Sequence, residues 1–287
     1  MKIIDSECAM GLWNLSESSF HQRIPARDGK NLIKAAYRKG IRLFDTAYSY
    51  NEADSLLYSA MKEIRAKDFA VVSKIMPVPS LRKKAETSLK RLGIEHFKIL
   101  LLHWPCSEPL FSESLEELVK LKDEGKTEAI GVSNLPFHML QESIKRFPLE
   151  YHERPLSLLW NKDWEKERML NIKTIAYSPL GMGLLSGKYR NLEDIPDQRR
   201  TLPSLSAQSC HKLFEAIDGD KAKALSWVYS QHPWCVVSGF HHIIELEILS
   251  SIYALESSEE EKLTQLADAI SDETAYDNIF AHNWRKD

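Results

Sequence analysis

Residues 97–104, FKILLLHW, run without a break through apolar positions from Ile99 to Leu102 and stop on a histidine. A strand with one face in water alternates apolar and polar residues, whereas an unbroken run suits a strand buried on both faces, as in a parallel sheet covered by helices. Working outward, the same short apolar string recurs as RLFDTA (42–47), DFAVVSK (68–74), TEAIGVS (127–133) and KTIAYS (173–178). LSLLW (156–160) and WCVVSG (234–239) fit as later strands, and ECAMGLW (7–13) as the first. From residue 31 onward, segments with helical spacing separate most of these strings. In ESLEELVKLKDEGK, Leu115, Leu118, Val119 and Leu121 form a stripe, Ser114 and Glu117 make a capping box, and Gly125 supplies the stop. SLRKKAETSLKRLG repeats the pattern, with Ser80 as cap and Gly93 as terminator. Eight strands alternating with helices predict an α/β fold, a (β/α)8 TIM barrel in one domain over residues 1–287. A doubly wound open sheet fits less well, because no GxGxxG follows the first strand.

Composition narrows the function classes. With 287 residues, 43% of them hydrophobic, the chain can bury one large core. A net charge of -3 offers no basic field for a nucleic-acid backbone. The absence of a long apolar segment predicts a soluble cytoplasmic protein with no membrane partner. Four scattered cysteines and ten histidines without ligand spacing signal neither a disulfide framework nor a metal site. Oligomeric state is not encoded in any of these features, and a monomer is consistent with them. Residues 188 to 220 read as a long loop before a helix, and residues 104–113, 188–210 and 271–287 carry no decodable motif.

Polar residues fall at the downstream ends of the strands: Asp45 after RLF, Lys74 after AVVS, His103 after ILLL, Ser133 and Asn134 after AIGV, and Tyr177 and Ser178 after KTIA. A parallel barrel gathers all such ends on one face, where its chemistry resides. These residues, with Tyr50, can assemble a carbonyl-reduction site. Hydride addition builds negative charge on oxygen, which needs a proton donor. A phenol is a weak acid, but a neighbouring ammonium favours its ionised form, so Lys74 is expected to ease proton release from Tyr50. Asp45 would keep Lys74 charged, and His103 would orient the substrate oxygen. A glycosidase on this fold would want two carboxylates at strand ends, and Asp45 is the only one the strings show. An aldolase could use Lys74 as a Schiff base, but Asp45 would keep it protonated.

The strings GIRLFDTAYSYN, VVSK, LLLHWP, GVSN and AYSPLGMGLLSGKY, in that order, resemble the aldo-keto reductase family over most of the chain, from about Met10 to Gly239. The resemblance implies a (β/α)8 barrel that binds NADPH or NADH and moves hydride to or from small aldehydes, ketones or sugars. It implies Asp45, Tyr50, Lys74 and His103 as the catalytic residues, and Ser133 and Asn134 as holders of the nicotinamide amide. Tyr177 would stack on the nicotinamide ring, Ser178 and Leu180 would line the pyrophosphate passage, and Gly11 and Trp13 would lie against the cofactor. Trp13 and Trp104 would wall the substrate pocket. A glutamine expected near the end of the sixth strand is matched to Ser157 in PLSLLWN, and Asn51 and Asp54 replace residues usual after the tyrosine. The largest departure is VVSGFHHIIELEIL, where Gly239, Phe240, Glu245 and Leu249 stand at positions that usually hold the 2′-phosphate and adenine of NADPH. Glu245 would repel that phosphate and accept from a ribose hydroxyl, favouring NADH, while His241 and His242 would offset this if protonated. The altered segment also admits a second role, a barrel that binds cofactor as a redox sensor with little turnover.

Overall fold

The structure is a computed structural model that describes residues 2–3, 5–17, 23–189, 192–195, 199, 202, 205 and 208–274. A short strand β1 (Lys2–Ile3) pairs antiparallel with β2 (Ser6–Gly11). From β2 the sheet continues through β3 (Leu43–Asp45), β4 (Ala70–Ile75), β5 (Phe97–Leu102), β6 (Thr127–Ser133), β7 (Tyr151–Pro155), β8 (Lys173–Tyr177) and β9 (Cys235–Ser238). Each strand runs parallel to the next, and β9 pairs back onto β2, so eight strands close into the expected (β/α)8 TIM barrel. Helices α1 (Ala26–Arg38), α2 (Glu52–Glu63), α3 (Leu81–Leu92), α4 (Leu110–Asp123), α5 (Phe137–Arg146) and α6 (Trp164–Glu167) occupy successive crossovers. Helices α7 (Gln208–Ile217) and α8 (Lys221–Ser230) precede β9, and α9 (Ser257–Thr274) follows it. No helix among the described residues is long and apolar enough to cross a membrane.

Period 2 along each strand sorts side chains between the barrel interior and the helical layer. The interior is a cluster of Ala9, Leu43, Val72, Ile99, Leu101, Ala129, Tyr151, Ile175, Cys235 and Val237, drawn from all eight strands. Intervening residues such as Phe44, Val71, Leu100, Ile130 and Val132 pack outward into the larger core beneath α1–α5. A second outer core, around Trp164, Leu213 and Trp227, lies under α6–α9. Both faces of the strands are therefore buried, which is why their sequences read as unbroken apolar runs.

One strand was misplaced by that criterion. The sixth barrel strand is Tyr151–Pro155, YHERP, and LSLLW lies beyond its end, with Ser157 and Trp160 closing a tight turn through paired backbone hydrogen bonds. All five residues of YHERP are buried despite four ionisable side chains. On the outward face, Arg154 donates to Glu167 Oε2 at 2.8 Å and His152 Nδ1 meets Glu167 Oε1 at 2.7 Å. The imidazole Nε2 accepts the Leu135 N–H at 3.2 Å, so the ring proton sits on Nδ1 and is donated to Glu167. Paired charges and satisfied donors do there what apolar contacts do on the other strands.

Helix ends follow the sequence in part. Gly93 and Gly125 terminate α3 and α4 in the left-handed region, with φ 64° and 72°. Ser114 is not a cap: α4 begins at Leu110, because the Glu108 carboxylate accepts from the Ser112 N–H at 3.1 Å and the Ser112 hydroxyl at 2.7 Å. Parts of the 188–210 loop and residues 275–287 of the tail lie outside the described residues.

Strand pairing is tightest at Gly131, where an added Cβ would lie 2.0 Å from the Tyr151 carbonyl oxygen. Gly131→Ala should therefore force β6 and β7 apart and lower stability by about 1–3 kcal/mol, read as a drop in urea midpoint.

Candidate active site

On five of the eight strands the interior face continues into a polar residue two positions beyond the apolar layer. Leu43 is followed by Asp45, Val72 by Lys74, Leu101 by His103, Tyr151 by Glu153 and Ile175 by Tyr177. The rule that stacks apolar residues inside the barrel thus sets one ring of polar groups at its C-terminal rim.

At the floor of this ring, Lys74 Nζ lies 2.6 Å from Asp45 Oδ2 and 3.0 Å from Glu153 Oε1. All three side chains are at most 6% exposed. Tyr50 stands on the turn Tyr48–Tyr50, half-buried, with its ring centroid 5.9 Å from Lys74 Nζ. The His103 ring meets the Tyr50 ring edge-on at 5.9 Å and stacks on Trp104 at 6.1 Å. The structure thus brings Asp45, Tyr50, Lys74 and His103 together around one spot. Asp54, a mild sequence change, is a buried pin: it accepts from Thr46 Oγ1 at 2.8 Å and Ser88 Oγ at 2.7 Å, fixing the segment that carries Tyr50. Asn51, at φ 43°, makes the bend between Tyr50 and α2.

Glu153 corrects the expectation of a single strand-end carboxylate. It pairs with Ser133 across β6 and β7, and its backbone oxygen accepts the Asn134 N–H at 2.9 Å. It therefore holds the place beside Ser133 that the sequence assigned to Ser157. Ser157 lies in the following turn, where its hydroxyl accepts from the Leu159 N–H at 3.3 Å. The signal was a strand two residues past Tyr151, hidden because YHERP reads as polar. Two carboxyls on one ammonium do not make a glycosidase, since both point at Lys74 and neither flanks an open cleft.

The electrostatics differ from the expectation for Tyr50. Burial raises its phenol above the ordinary value, Lys74 pulls it down, and Asp45 and Glu153 raise it again, so the proton is held. Burial alone would lower Lys74, but the charges of Asp45 and then Glu153 outweigh it and keep the ammonium protonated. Burial, then the charge of Lys74, lowers His103 to about 3, so the imidazole is neutral.

Around this floor, Asn134 donates to Ser133 Oγ at 2.9 Å and to the His103 carbonyl at 3.0 Å, and the Tyr177 hydroxyl donates to Asn134 Oδ1 at 2.6 Å. Asn134 and Ser178 follow β6 and β8 directly in the left-handed region, with φ 65° and 51°. Gly181, Gly183 and Leu185 each donate a backbone N–H into the tight turns built on Ser178 and Leu180. His103 Nδ1 and Ser238 Oγ are buried at strand ends without a hydrogen-bond partner. Rim polar groups left unpaired beside an arc of amide and hydroxyl groups fit a flat, amide-bearing ring such as nicotinamide.

A family model described as the aldo/keto reductase family matches residues 7–273. The chain belongs to that family. Aldo/keto reductases carry out NAD(P)-dependent carbonyl oxidoreduction on small molecules. The chain is 26% identical to the aldo-keto reductase str7 of Strobilurus tenacellus, over 88% of this chain and 84% of that protein. It is 30% identical to the NADH-specific methylglyoxal reductase of Escherichia coli (strain K12), over 54% of this chain and 57% of that protein. Among solved structures, the glycerol dehydrogenase AKR11B4 from Gluconobacter oxydans superposes with a TM-score of 0.78 at 23% identity, covering 94% of this chain and 92% of that one.

Beyond β9, Gly239 is exposed and Phe240 is buried, with its carbonyl accepting from Asn14. Glu245 Oε2 accepts the His241 N–H at 2.7 Å, capping the short helix Ile243–Ser250. Gly11, Trp13, Trp104 and Leu180 all lie at C-terminal strand ends or in the segments that follow them, Gly11 at the end of β2 and Trp13 in the helical turn Trp13–Leu15 just beyond it.

The lowered His103 value fixes a pH dependence. In the unfolded chain its imidazole binds a proton below about pH 6.5. The folded protein does not bind it until about 3, so this group makes stability fall as pH drops through that window. His103→Gln should flatten the denaturation midpoint against pH between about 6.5 and 4, and proton NMR of the parent should show His103 untitrated over that range.

Proposed function

We propose that this reductase transfers hydride between a nicotinamide cofactor and the carbonyl carbon of a small aldehyde, ketone or sugar, with Tyr50 as the general acid. The observation that carries the reading is the Asp45–Lys74 pair at 2.6 Å beneath Tyr50, with neutral His103 beside it. A bound reduced nicotinamide would supply the hydride to the carbonyl carbon and be oxidised in doing so. The carbonyl oxygen takes the developing charge and then the Tyr50 proton, and water restores the phenol. Lys74, held charged by Asp45, stabilises the phenolate for as long as it lasts. Neutral His103 aims a ring nitrogen at the carbonyl oxygen without competing for the proton. In the oxidative direction the same groups run in reverse, Tyr50 taking the proton.

On this reading Ser133, Asn134 and Tyr177 hold the nicotinamide end, with Ser157 in the turn behind them. Ser178 and Leu180 line the pyrophosphate passage, Gly11 and Trp13 lie against the cofactor, and Gly239 and Glu245 receive the adenosine. Trp13 and Trp104 wall the substrate pocket, and the whole chain, 1–287, works as one domain. A carboxylate at position 245 opposes a 2′-phosphate, which supports NADH over NADPH.

Tyr50→Phe should lower kcat/KM for aldehyde reduction by about 100-fold or more while leaving cofactor affinity, read by tryptophan fluorescence, nearly unchanged. Equal rates in parent and variant would remove Tyr50 from the chemistry, and tight cofactor binding without turnover would favour the sensor role. Glu245→Gln keeps an acceptor for the His241 N–H while removing the charge. It should reduce the NADH-to-NADPH ratio of kcat/KM about tenfold. An unchanged ratio would show that Glu245 does not meet the ribose.

A further inference from the structure

The four residues of the proposed reaction leave Glu153 unexplained. Its carboxyl reaches the same ammonium as Asp45 from the opposite side of the barrel, through Oε1 at 3.0 Å, and lies within hydrogen-bond reach of the Asp45 carboxyl. Its Oε2 is buried with no protein donor facing it. Glu153 is 2% exposed, so water cannot screen the pair. Two carboxylates in contact, out of water, with one ammonium between them would leave a net negative charge in the barrel interior. A single shared proton removes it and supplies the missing donor between the two acids. Asp45, hydrogen-bonded to Lys74 at 2.6 Å, is the better-stabilised anion, so the proton resides on Glu153.

We propose that Glu153 is a positioning residue that shares one proton with Asp45 beneath Lys74, and that releasing this proton in alkaline solution makes Tyr50 hold its own proton more tightly, suppressing alcohol oxidation relative to carbonyl reduction. This rests on the reading of Tyr50 as the general acid and base. Among the described residues, four groups face Glu153: Asp45 from β3, Lys74 from β4, Tyr50 from the turn after β3, and Cys235 from β9. Burial and then the Asp45 charge raise the Glu153 carboxyl, against the pull of Lys74, to about 8. Burial first, then the charges around it, keeps Cys235 a neutral thiol, and His103 is neutral as well. The charge that changes in mildly alkaline solution is therefore that of Glu153.

The sign follows from the charge count. With Glu153 protonated, one ammonium balances one carboxylate, and a Tyr50 phenolate feels net attraction from Lys74. With Glu153 ionised, a second negative charge opposes the phenolate. Alcohol oxidation needs the phenolate as base, so its rising limb moves to higher pH, whereas carbonyl reduction uses the phenol, which stays loaded. Glu153 also ties this floor to the nicotinamide arc, because its backbone oxygen accepts the Asn134 N–H at 2.9 Å.

Glu153→Gln keeps the shape and the donor to Asp45 but removes the titrating proton. Measured from about pH 6 to 10 with an alcohol and its aldehyde, the oxidation limb of kcat/KM should move down by about one pH unit, a roughly tenfold gain at fixed pH on the limb. Superimposable profiles, or a uniform loss at every pH, would overturn the proposal in favour of a structural role. An infrared difference titration of the unaltered protein over the same range tests it without turnover and without a folded variant. A protonated-carboxyl C=O band should disappear near pH 8, and the absence of any such band would also overturn it. A protein that shows this band but whose Tyr50→Phe variant is fully active would retain the shared proton and lose the assigned reaction, which separates the two claims.

Discussion

A charged amine inside a protein is tolerated only where opposite charge and hydrogen bonds offset its lost hydration, and Lys74 meets both requirements within 3.0 Å. Asp45 comes from β3, Lys74 from β4 and Glu153 from β7, so this one contact ties together three strands that meet across the barrel interior. Removing Asp45 would leave the ammonium without its compensating charge, and removing Lys74 would leave two acids facing each other. Burial first, and then the charges of this contact, set the electrostatic state of Tyr50 and His103, one holding its proton and the other refusing a second.

The strand that contributes Glu153 shows how such a cluster is supported from behind. Tyr151–Pro155 carries Glu153 inward and His152 and Arg154 outward, and the outward pair binds Glu167 of α6. Because His152 also accepts the Leu135 N–H, it anchors the corner after β6 that carries Ser133 and Asn134. A five-residue strand therefore links the floor of the site, the Ser133–Asn134 corner and the helical layer. Asp54 plays the corresponding part for Tyr50, holding the β3 end against α2 and α3.

Strands with apolar outward faces were legible at once, since Phe44, Val71, Leu100 and Ile130 turn each string into an unbroken run. Asp45, Lys74 and His103 were legible for the same reason, standing at the ends of those runs. YHERP was not, because its outward positions are satisfied by ion pairs rather than by apolar contact, and no periodicity reports a partner such as Glu167 that lies twelve or more residues away. Ser114 misled in the other direction, since a capping-box pattern cannot reveal that Glu108 starts the helix a turn earlier.

The sequence by itself determined the closed parallel barrel, the face on which its polar strand ends gather and the identity of the three residues around Tyr50, because hydrophobic period and strand-end position are local properties. Only the tertiary structure decided that Lys74 serves two acids, that Glu153 rather than Ser157 stands beside Ser133, and that burial raises the Tyr50 phenol where a lone ammonium would lower it. Those outcomes depend on distances between residues far apart in the chain and on the exclusion of water from the space between them, and neither is written in the local order of side chains.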